Sequence, residues 1–467
     1  MSIESEKIAY KRLSLFAIAW PIFIETGLHM LMGNADTLML SQYSDDSVAA
    51  VGVSNQILNV IIVMFGFVAT GTSVLVAQYL GANSARKAGK IAVVSIVTNI
   101  LLGLALGLIV IFASSTLLTM MGVSDQLLQE ATIYLQIVGG FLFVQAGIMT
   151  IGAVLRSHRF TKDVMYVTIG MNILNVIGNY LFIFGPFGIP VLGVTGVAIS
   201  TAFSRTIGVV VIFFILFKRI KNELPFSFLL KKFPSFELKK LLKIGIPSAG
   251  EHLSFNGSQL VITSFIVILG TEALTTKVYA QNIGMFVLLF SIAIGQGTQI
   301  IIGHQVGAKK LDEAYKRCIN SLLIAIAATA SVGLTLYYFS ESLFSLFTNN
   351  HDIIVTGSIL LLLTAILEPG RAFNAVVISS LRAAGDVNFP VLIGIVSMWG
   401  VSVPIAYFLG IHLDLGLIGI WIAFIADEWL RGILMLWRWR KGHWRGMSFV
   451  HPTKIDKPKK QLKTTHV

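Results

Sequence analysis

Charge is what this 467-residue chain has least of: Asp, Glu, Lys and Arg together make up 12% of it, against roughly a quarter in ordinary globular proteins. A soluble surface cannot be covered with so few charges. Hydrophobic residues at 55% and a mean hydropathy of +0.80 point to the bilayer as the solvent. Charge is absent altogether from Ile91 to Ser124, Val164 to Ser204, Val278 to His304 and Val387 to Leu413. Each run can cross a ~30 Å hydrocarbon core, which takes about 20 apolar residues, and the second can cross it twice. The single cysteine, Cys318, excludes an internal disulfide and a cysteine-based metal site. Nucleotide-binding motifs are missing as well. The segment from Ala85 to Ile91 lacks the first glycine and the final Ser/Thr of a P-loop, Gly295-Gln296-Gly297 has no third glycine at the required spacing, and neither HExxH nor GxSxG occurs. These absences exclude a soluble enzyme, a nucleic-acid binder and ATP hydrolysis by a familiar route. No cofactor is expected, and energy must come from an ion gradient or from the substrate's own.

The apolar segments that remain, bounded by Gly, Pro or charge, give twelve spans at about 13–41, 48–80, 91–115, 128–155, 163–185, 191–217, 238–269, 273–306, 318–340, 353–381, 389–410 and 416–437. The expected fold is an all-α integral membrane protein of twelve transmembrane helices. Residues 1–12 are polar and the apolar stretch after them has no small-residue cleavage site, which predicts an uncleaved first span. Gly185-Pro186-Phe187-Gly188-Ile189-Pro190 cannot continue a helix and reads as a tight exterior turn between the fifth and sixth spans.

The net charge of +12 is explained by topology. Of the 35 Lys and Arg, 31 fall on one side: residues 1–12, 81–91, 156–162, 218–243, 307–317, Arg382 and the stretch beyond 437. The opposite loops hold Asp45, Asp46, Asp125, Glu272, Asp352 and Asp414, with Lys277 as their one cation. The positive-inside rule then puts both termini in the cytoplasm of a multi-pass protein of the cell membrane, with Lys277 outside and Cys318 at the cytoplasmic end of the ninth span.

The chain also repeats itself at an offset of 226 residues. Pro21 and Glu25 recur as Pro247 and Glu251, Gly71-Thr72 as Gly297-Thr298, Gly81-Ala82 as Gly307-Ala308, and Leu155-Arg156 as Leu381-Arg382. Six helices return the chain to its starting side, so the two halves form six-helix lobes related by a pseudo-twofold axis along the membrane normal. The expected organisation is an N-terminal lobe over 1–217, a cytoplasmic linker over 218–236, a C-terminal lobe over 237–441 and a basic cytoplasmic tail over 442–467. Two such lobes suit a transporter whose substrate site lies between them. Channels and membrane enzymes also arise by duplication, so the polar residues inside the spans decide.

An ionisable residue within a span is costly and is a functional candidate by default. On the first span Glu25, His29 and Asp36 share one face at 100° per residue, with Glu25 near mid-membrane and Asp36 in the outer half. Asn175 and Asn179, one turn apart on the fifth span, and Thr195 at the outer start of the sixth offer amide and hydroxyl oxygens at a similar depth. With Asp36 they could hold a proton or a small hard cation such as Na⁺; the alternative is a neutral network that only packs the helices. The second half has Glu251, Asn256 and Gln259 on the seventh span and Glu368 on the tenth as candidates for substrate or ion coupling, while Ile262 stands at the repeat position of Asp36. Asp427, Glu428 and Arg431, near the cytoplasmic end of the twelfth span, and Arg371 after Glu368 read as local helical ion pairs. Gly103 and Gly107 form a GxxxG that reads as packing within a lobe, and a monomer is expected.

The motifs Trp20-Pro21, Gly33-Asn34-Ala35-Asp36-Thr37-Leu38-Met39, Ala77-Gln78-Tyr79-Leu80-Gly81-Ala82 with its twin Gly303-His304-Gln305-Val306-Gly307-Ala308, Asn179-Tyr180-Leu181-Phe182-Ile183-Phe184-Gly185 and Leu381-Arg382-Ala383-Ala384-Gly385-Asp386 follow one another in order through the spans. In these the chain resembles the multidrug and toxic compound extrusion (MATE) transporters over essentially residues 13–440. The resemblance implies export of organic cations, drugs or other amphipathic compounds in exchange for H⁺ or Na⁺, by rocking of two lobes. It places the ion-binding acid on Asp36 and its partners on Asn175, Asn179 and Thr195. This chain departs from the family in having Asn179 where members often have aspartate, and Phe255 where some have an acid. The alternative is a flippase for a lipid-linked saccharide or other amphiphile, which would call for a strongly cationic cavity; only Arg205, Arg371 and Arg431 are available for one. A membrane prenyl or acyl transferase would need an interfacial acid or His cluster that the sequence does not contain.

Overall fold

A computed structural model of the chain describes residues 14–225 and 234–450, and within them every regular element is a helix. Most of the expected linker and tail, 226–233 and 451–467, and residues 1–13 lie outside the described residues. In order the helices are α1 (Leu15–Leu40), α2 (Asp45–Gly81), α3 (Ala85–Met120), α4 in two pieces (Asp125–Gly140 and Leu142–Ser157), α5 (Thr161–Phe184), α6 (Gly193–Ile220), α7 (Ser235–Ile268), α8 (Thr271–Gly307), α9 (Leu311–Tyr338), α10 (His351–Ala384), α11 (Asn388–His412) and α12 (Gly416–Arg440).

Nine described helices are each long and apolar enough to cross a membrane, and α4, bent by 44° at its break, makes a tenth. The bend falls beside Gly139-Gly140, where a methyl group at Gly139 would lie 2.4 Å from Val110 of α3, so the glycines let the two helices touch. The remaining two, α7 and α12, are 34 and 25 residues long, but Glu251 and His252 in one and Asp427, Glu428 and Arg431 in the other interrupt their apolar runs. Gly103 packs against Phe143 and Gly107 against Gly139, so the GxxxG of α3 is spent inside its own lobe.

The internal repeat is visible in the helices themselves. α2 and α8 begin and end 226 positions apart, and the starts of α3 and α4 recur at the same offset as the starts of α9 and α10. The lobes also exchange their first turns. Leu15 and Ile18 of α1 pack into the apolar cluster built by α8, α9, α10 and α12, while their repeat partners Leu241 and Ile244 of α7 pack into the cluster of α2 to α6. Gly71 and Gly297, again repeat partners, make room for these crossings: Leu241 approaches one and Leu15 the other.

One end of the molecule is sealed between the lobes, and the seal is itself twofold. A methyl group at Gly81 would lie 2.0 Å from the carbonyl oxygen of His304, and one at Gly307 would lie 2.0 Å from that of Gln78, so α2 and α8 meet backbone to backbone where only glycine fits. Gln78 donates from Nε2 to the Ala383 carbonyl at 2.7 Å, and His304 Nε2 lies 2.8 Å from the Ser157 carbonyl; both residues and both targets are repeat partners. The chain after α12 adds to this seal. The Phe449 amide donates to Gln78 Oε1 at 2.9 Å, Lys240 Nζ donates to the Phe449 carbonyl at 2.9 Å, and the Phe449 ring is buried in the first-lobe cluster.

Two expectations are corrected here. Lys277 is not in an exterior loop: the connection after α7 is only Leu269 and Gly270, so Lys277 lies in the second turn of α8, buried, and donates to Thr263 Oγ1 at 2.7 Å. Asp427 and Glu428 are not near the end of their span, because α12 continues to Arg440 and leaves them at its middle.

Candidate functional site

Two polar regions lie inside the helices, one per lobe. In the first lobe Asp36 is buried in the C-terminal part of α1 and accepts a 2.5 Å hydrogen bond from the amide nitrogen of Asn179 on α5. One turn deeper, Asn175 donates to Thr201 Oγ1 of α6 at 3.2 Å, and Ser200 Oγ donates to the Asn175 carbonyl at 2.9 Å. The side-chain oxygens of Asn175 and Asn179 are buried and accept no hydrogen bond. Thr195 stands in the first turn of α6 and, among the described residues, makes no hydrogen bond to either asparagine or to Asp36. Thr201 is the hydroxyl that does, and counting from the end of α5 and the start of α6 would have found it. It lies eight residues into α6, and Asn175 lies nine residues from the end of α5.

Glu25 does not join Asp36. It turns toward α4 and pairs with Arg156 at 2.6 Å, while His29, half-buried, makes no hydrogen bond among the described residues. The repeat reproduces this pair as Glu251 with Arg382, between α7 and α10. Arg156 and Arg382 had read as loop charges. The signal for their role was that acid and base recur together at the same offset.

The second lobe carries the larger charged assembly. Glu368 pairs with Arg371 on α10; Arg371 reaches Glu428 of α12 at 3.6 Å; Arg431 binds Asp427 at 2.8 Å and Glu428 at 2.9 Å. Asn374 donates to Glu428 at 2.9 Å and Ser397 of α11 donates to Asp427 at 2.5 Å. The local pairs expected for Arg371 and Arg431 are therefore present, but they are links in one network across three helices. It holds three carboxylates and two guanidinium groups. Two widened turns, Met398–Ser402 and Phe408–His412, flank Pro404, which has no N–H to give a regular helix, and the first brings Met398 and Ser402 to the cavity next to this network.

That cavity has a volume of about 600 Å³, the size of drug-like sites. Glu251, His252, Gln259, Glu368, Arg371 and Glu428 line it on the polar side; Asn256 is exposed and is not part of it. Met285, Leu288, Trp421 and Phe424 supply an apolar wall, and Met30 of α1 is its one contribution from the first lobe.

The lobes are chemically unlike at matching places. Asp36, Asn175 and Asn179 have Ile262, Val401 and Ile405 as repeat partners. Arg431 has Arg205, but the acids beside it, Asp427 and Glu428, are replaced by Thr201 and Ala202. Arg205 accordingly makes no ion pair or hydrogen bond among the described residues; its Nε is buried without a partner, and Asp36 and Tyr134 lie within its electrostatic reach.

Twelve membrane helices in two repeated lobes, with a drug-sized polar cavity among the helices of one and a buried carboxylate in the other, are the architecture of a transporter. The MatE family model matches residues 21–181 and 247–408, one match in each lobe, and the chain belongs to this family of transporters. It is 56% identical over 451 residues to the "Uncharacterized transporter YisQ" of Bacillus subtilis, covering 96% of this chain and 98% of that one. It is 26% identical to the "Probable multidrug resistance protein NorM" of Thermotoga maritima, covering 95% of each. Among solved structures, one described as the "Outward-facing conformation of a multidrug resistance MATE family transporter of the MOP superfamily" matches with a TM-score of 0.83 at 21% identity, over 91% of this chain and 94% of that one. At that identity the likeness shows the fold.

The Glu25–Arg156 pair yields a direct test. Removing one member strands the other in a low-dielectric interior, at a cost of about 3–5 kcal/mol. Glu25→Gln and Arg156→Gln should each lower the thermal midpoint in detergent clearly, and the double variant should lower it by much less than the two together. Additive losses would mean that the two groups do not interact.

Proposed function

We propose that the chain is a cation-coupled antiporter that exports amphipathic compounds across the cell membrane by alternating access of its lobes, with Asp36, Asn175 and Asn179 holding the coupling ion. The observation that carries the ion assignment is the pair of orphaned amide oxygens beside Asp36. A buried acceptor without a donor is costly, and a small hard cation satisfies several at once. This supports Na⁺ over H⁺, since a protonated Asp36 has a single O–H to donate and would meet at most one of the two amide oxygens. Thr201 takes the place first given to Thr195, and Glu25 and Glu251 act as structural partners of arginines. The efflux reading is supported by the relationship to proteins named for multidrug resistance and by the cavity, whose volume suits one drug-sized molecule. The flippase reading is weaker on the same ground: 600 Å³ leaves little room for an oligosaccharide head group.

Transport requires the ion and the substrate to favour different lobe arrangements, since a ligand with equal affinity for both shifts nothing. With a protonophore present at constant pH, an imposed Na⁺ gradient should drive dye efflux from proteoliposomes. Asp36→Asn should abolish that efflux while leaving dye binding measurable, and Asn175→Ala should raise the Na⁺ concentration required. Efflux that collapses with the protonophore despite the Na⁺ gradient would make Asp36 a proton carrier instead.

The distribution of Lys and Arg supports cytoplasmic termini. The sealed end, where α2 and α8 terminate beside basic loops, is then the inner one, and this arrangement of the lobes faces outward. A monomer is supported by the GxxxG of α3 being spent within its lobe. Gln42, exposed in the turn after α1, reports the orientation. In a Cys318→Ser background, Gln42→Cys should react with an impermeant thiol reagent added to intact cells; labelling only after permeabilisation would invert the topology.

A further inference from the structure

Which charge meets the substrate is decided by exposure more than by count. Six carboxylates lie in the interior of the described spans, Glu25, Asp36, Glu251, Glu368, Asp427 and Glu428, and none is more than 8% exposed. Each also has a partner: Arg156, Asn179, Arg382, Arg371 and Arg431 engage the first five in turn, and Asn374, Arg371 and Arg431 engage Glu428. One cation is placed differently. The side chain of Arg371 remains 33% exposed, and it lines the cavity in front of Glu368, whose side chain is 2% exposed. Among the charged side chains that line the cavity, Arg371 is thus the most exposed, ahead of Glu251 and Glu428 at 10% each.

The other charged groups of the lining, Glu251, Glu368, Asp427, Glu428 and Arg431, are already engaged in ion pairs. His252, Gln259, Gln281 and Asn282 bring an imidazole and three amide groups, all able to donate hydrogen bonds. The opposing wall, with Met285, Trp421 and Phe424, offers flat and adaptable apolar surface. A guanidinium fork with neighbouring donors, facing an aromatic wall, recognises a planar acid better than a quaternary amine. The unpaired Arg205 gives the first lobe a guanidinium as well, where the second lobe surrounds its counterpart with acids.

We propose that the second-lobe cavity selects amphipathic compounds bearing an anionic oxygen group, a carboxylate or sulfonate on an aromatic body, and that Arg371 is the residue that receives this group. The proposal rests on the efflux reading and narrows its substrate class from organic cations to acids and zwitterions. Arg371 keeps its contacts from Nη1 to Glu368 and from Nε to Glu428 and offers the substrate the remaining nitrogen, Nη2. His252 and the amides complete the acceptor's hydrogen bonds, while the aromatic body lies against Trp421 and Phe424.

Two dyes that differ only at the acid test this: rhodamine 110 carries a free carboxylate, and rhodamine 123 is its methyl ester. With the full-length protein in proteoliposomes, rhodamine 110 should be transported at a concentration about tenfold lower than rhodamine 123, the factor expected of one charge-assisted hydrogen bond. Arg371→Gln should bring the ratio of the two close to one. Should that variant lose both dyes, Arg371→Lys decides, because it keeps the cation: a retained preference for the acid supports the proposal and a lost one overturns it. A wild-type preference for the ester, or equal handling of both dyes, also overturns it while leaving export intact. Failure of the wild type to move either dye under any imposed gradient would instead reject the export reading itself.

Discussion

A charge inside a bilayer has to be answered by another group of the protein, and this constraint organises the whole molecule. Its plainest expression is the ion pair between Glu25 and Arg156 and the copy of it between Glu251 and Arg382. Each pair joins the first helix of a lobe to its fourth. Each lies one turn beyond a proline, Pro21 or Pro247, which removes a backbone donor from its helix. Breaking either pair would strand a charge at several kcal/mol, so each lobe is held as a unit. Rigid lobes allow motion between them to be a rocking of bodies, with the hydrogen bonds of Gln78 and His304 as the contacts that must part.

The same constraint shows how a duplicated chain acquired two different interiors. Where one lobe has Asp36 with two asparagines, the other has Ile262, Val401 and Ile405; where one has Asp427 and Glu428 beside an arginine, the other has Thr201 and Ala202. On the proposed reading ion and substrate act on separate lobes, and coupling follows if each favours its own arrangement of the shared interface. Met30, which reaches from α1 into the second-lobe cavity, is a direct link between the two.

Much of this was legible in the sequence, because the properties it displays are one-dimensional. Uncharged runs located the spans, charge asymmetry separated the two sides, and the 226-residue offset reappeared in the bounds of α2 and α8. Asn179 reached Asp36 as the helical face and depth implied. What periodicity does not encode is which neighbour a side chain meets. Arg156 and Arg382, at helix ends, were counted as loop charges until the fold turned them toward glutamates. Thr195 and Thr201 are both hydroxyls near the outer end of α6, and only the relative heights of α5 and α6 distinguish them. The Asp427–Arg431 pair was visible as a helical spacing, but its place in a cavity depended on the widened turns of α11 and on Arg371 reaching across from α10.

Alternating access depends on the α2–α8 seam opening, and that is where the account is most exposed to measurement. Ala77 and Gly303, repeat partners, face each other there, with a methyl group at Gly303 falling 2.8 Å from the Ala77 Cβ. A disulfide needs a Cβ–Cβ separation of about 3.5–4.5 Å, so the helices must part by roughly 1 Å to accept one. In a Cys318→Ser background, oxidising the Ala77→Cys, Gly303→Cys pair should stop transport in proteoliposomes, leave substrate binding from the outer side intact, and be reversed by reduction. Undiminished transport by the fully cross-linked protein would contradict the account, because the lobes would then be moving substrate without separating at the seam.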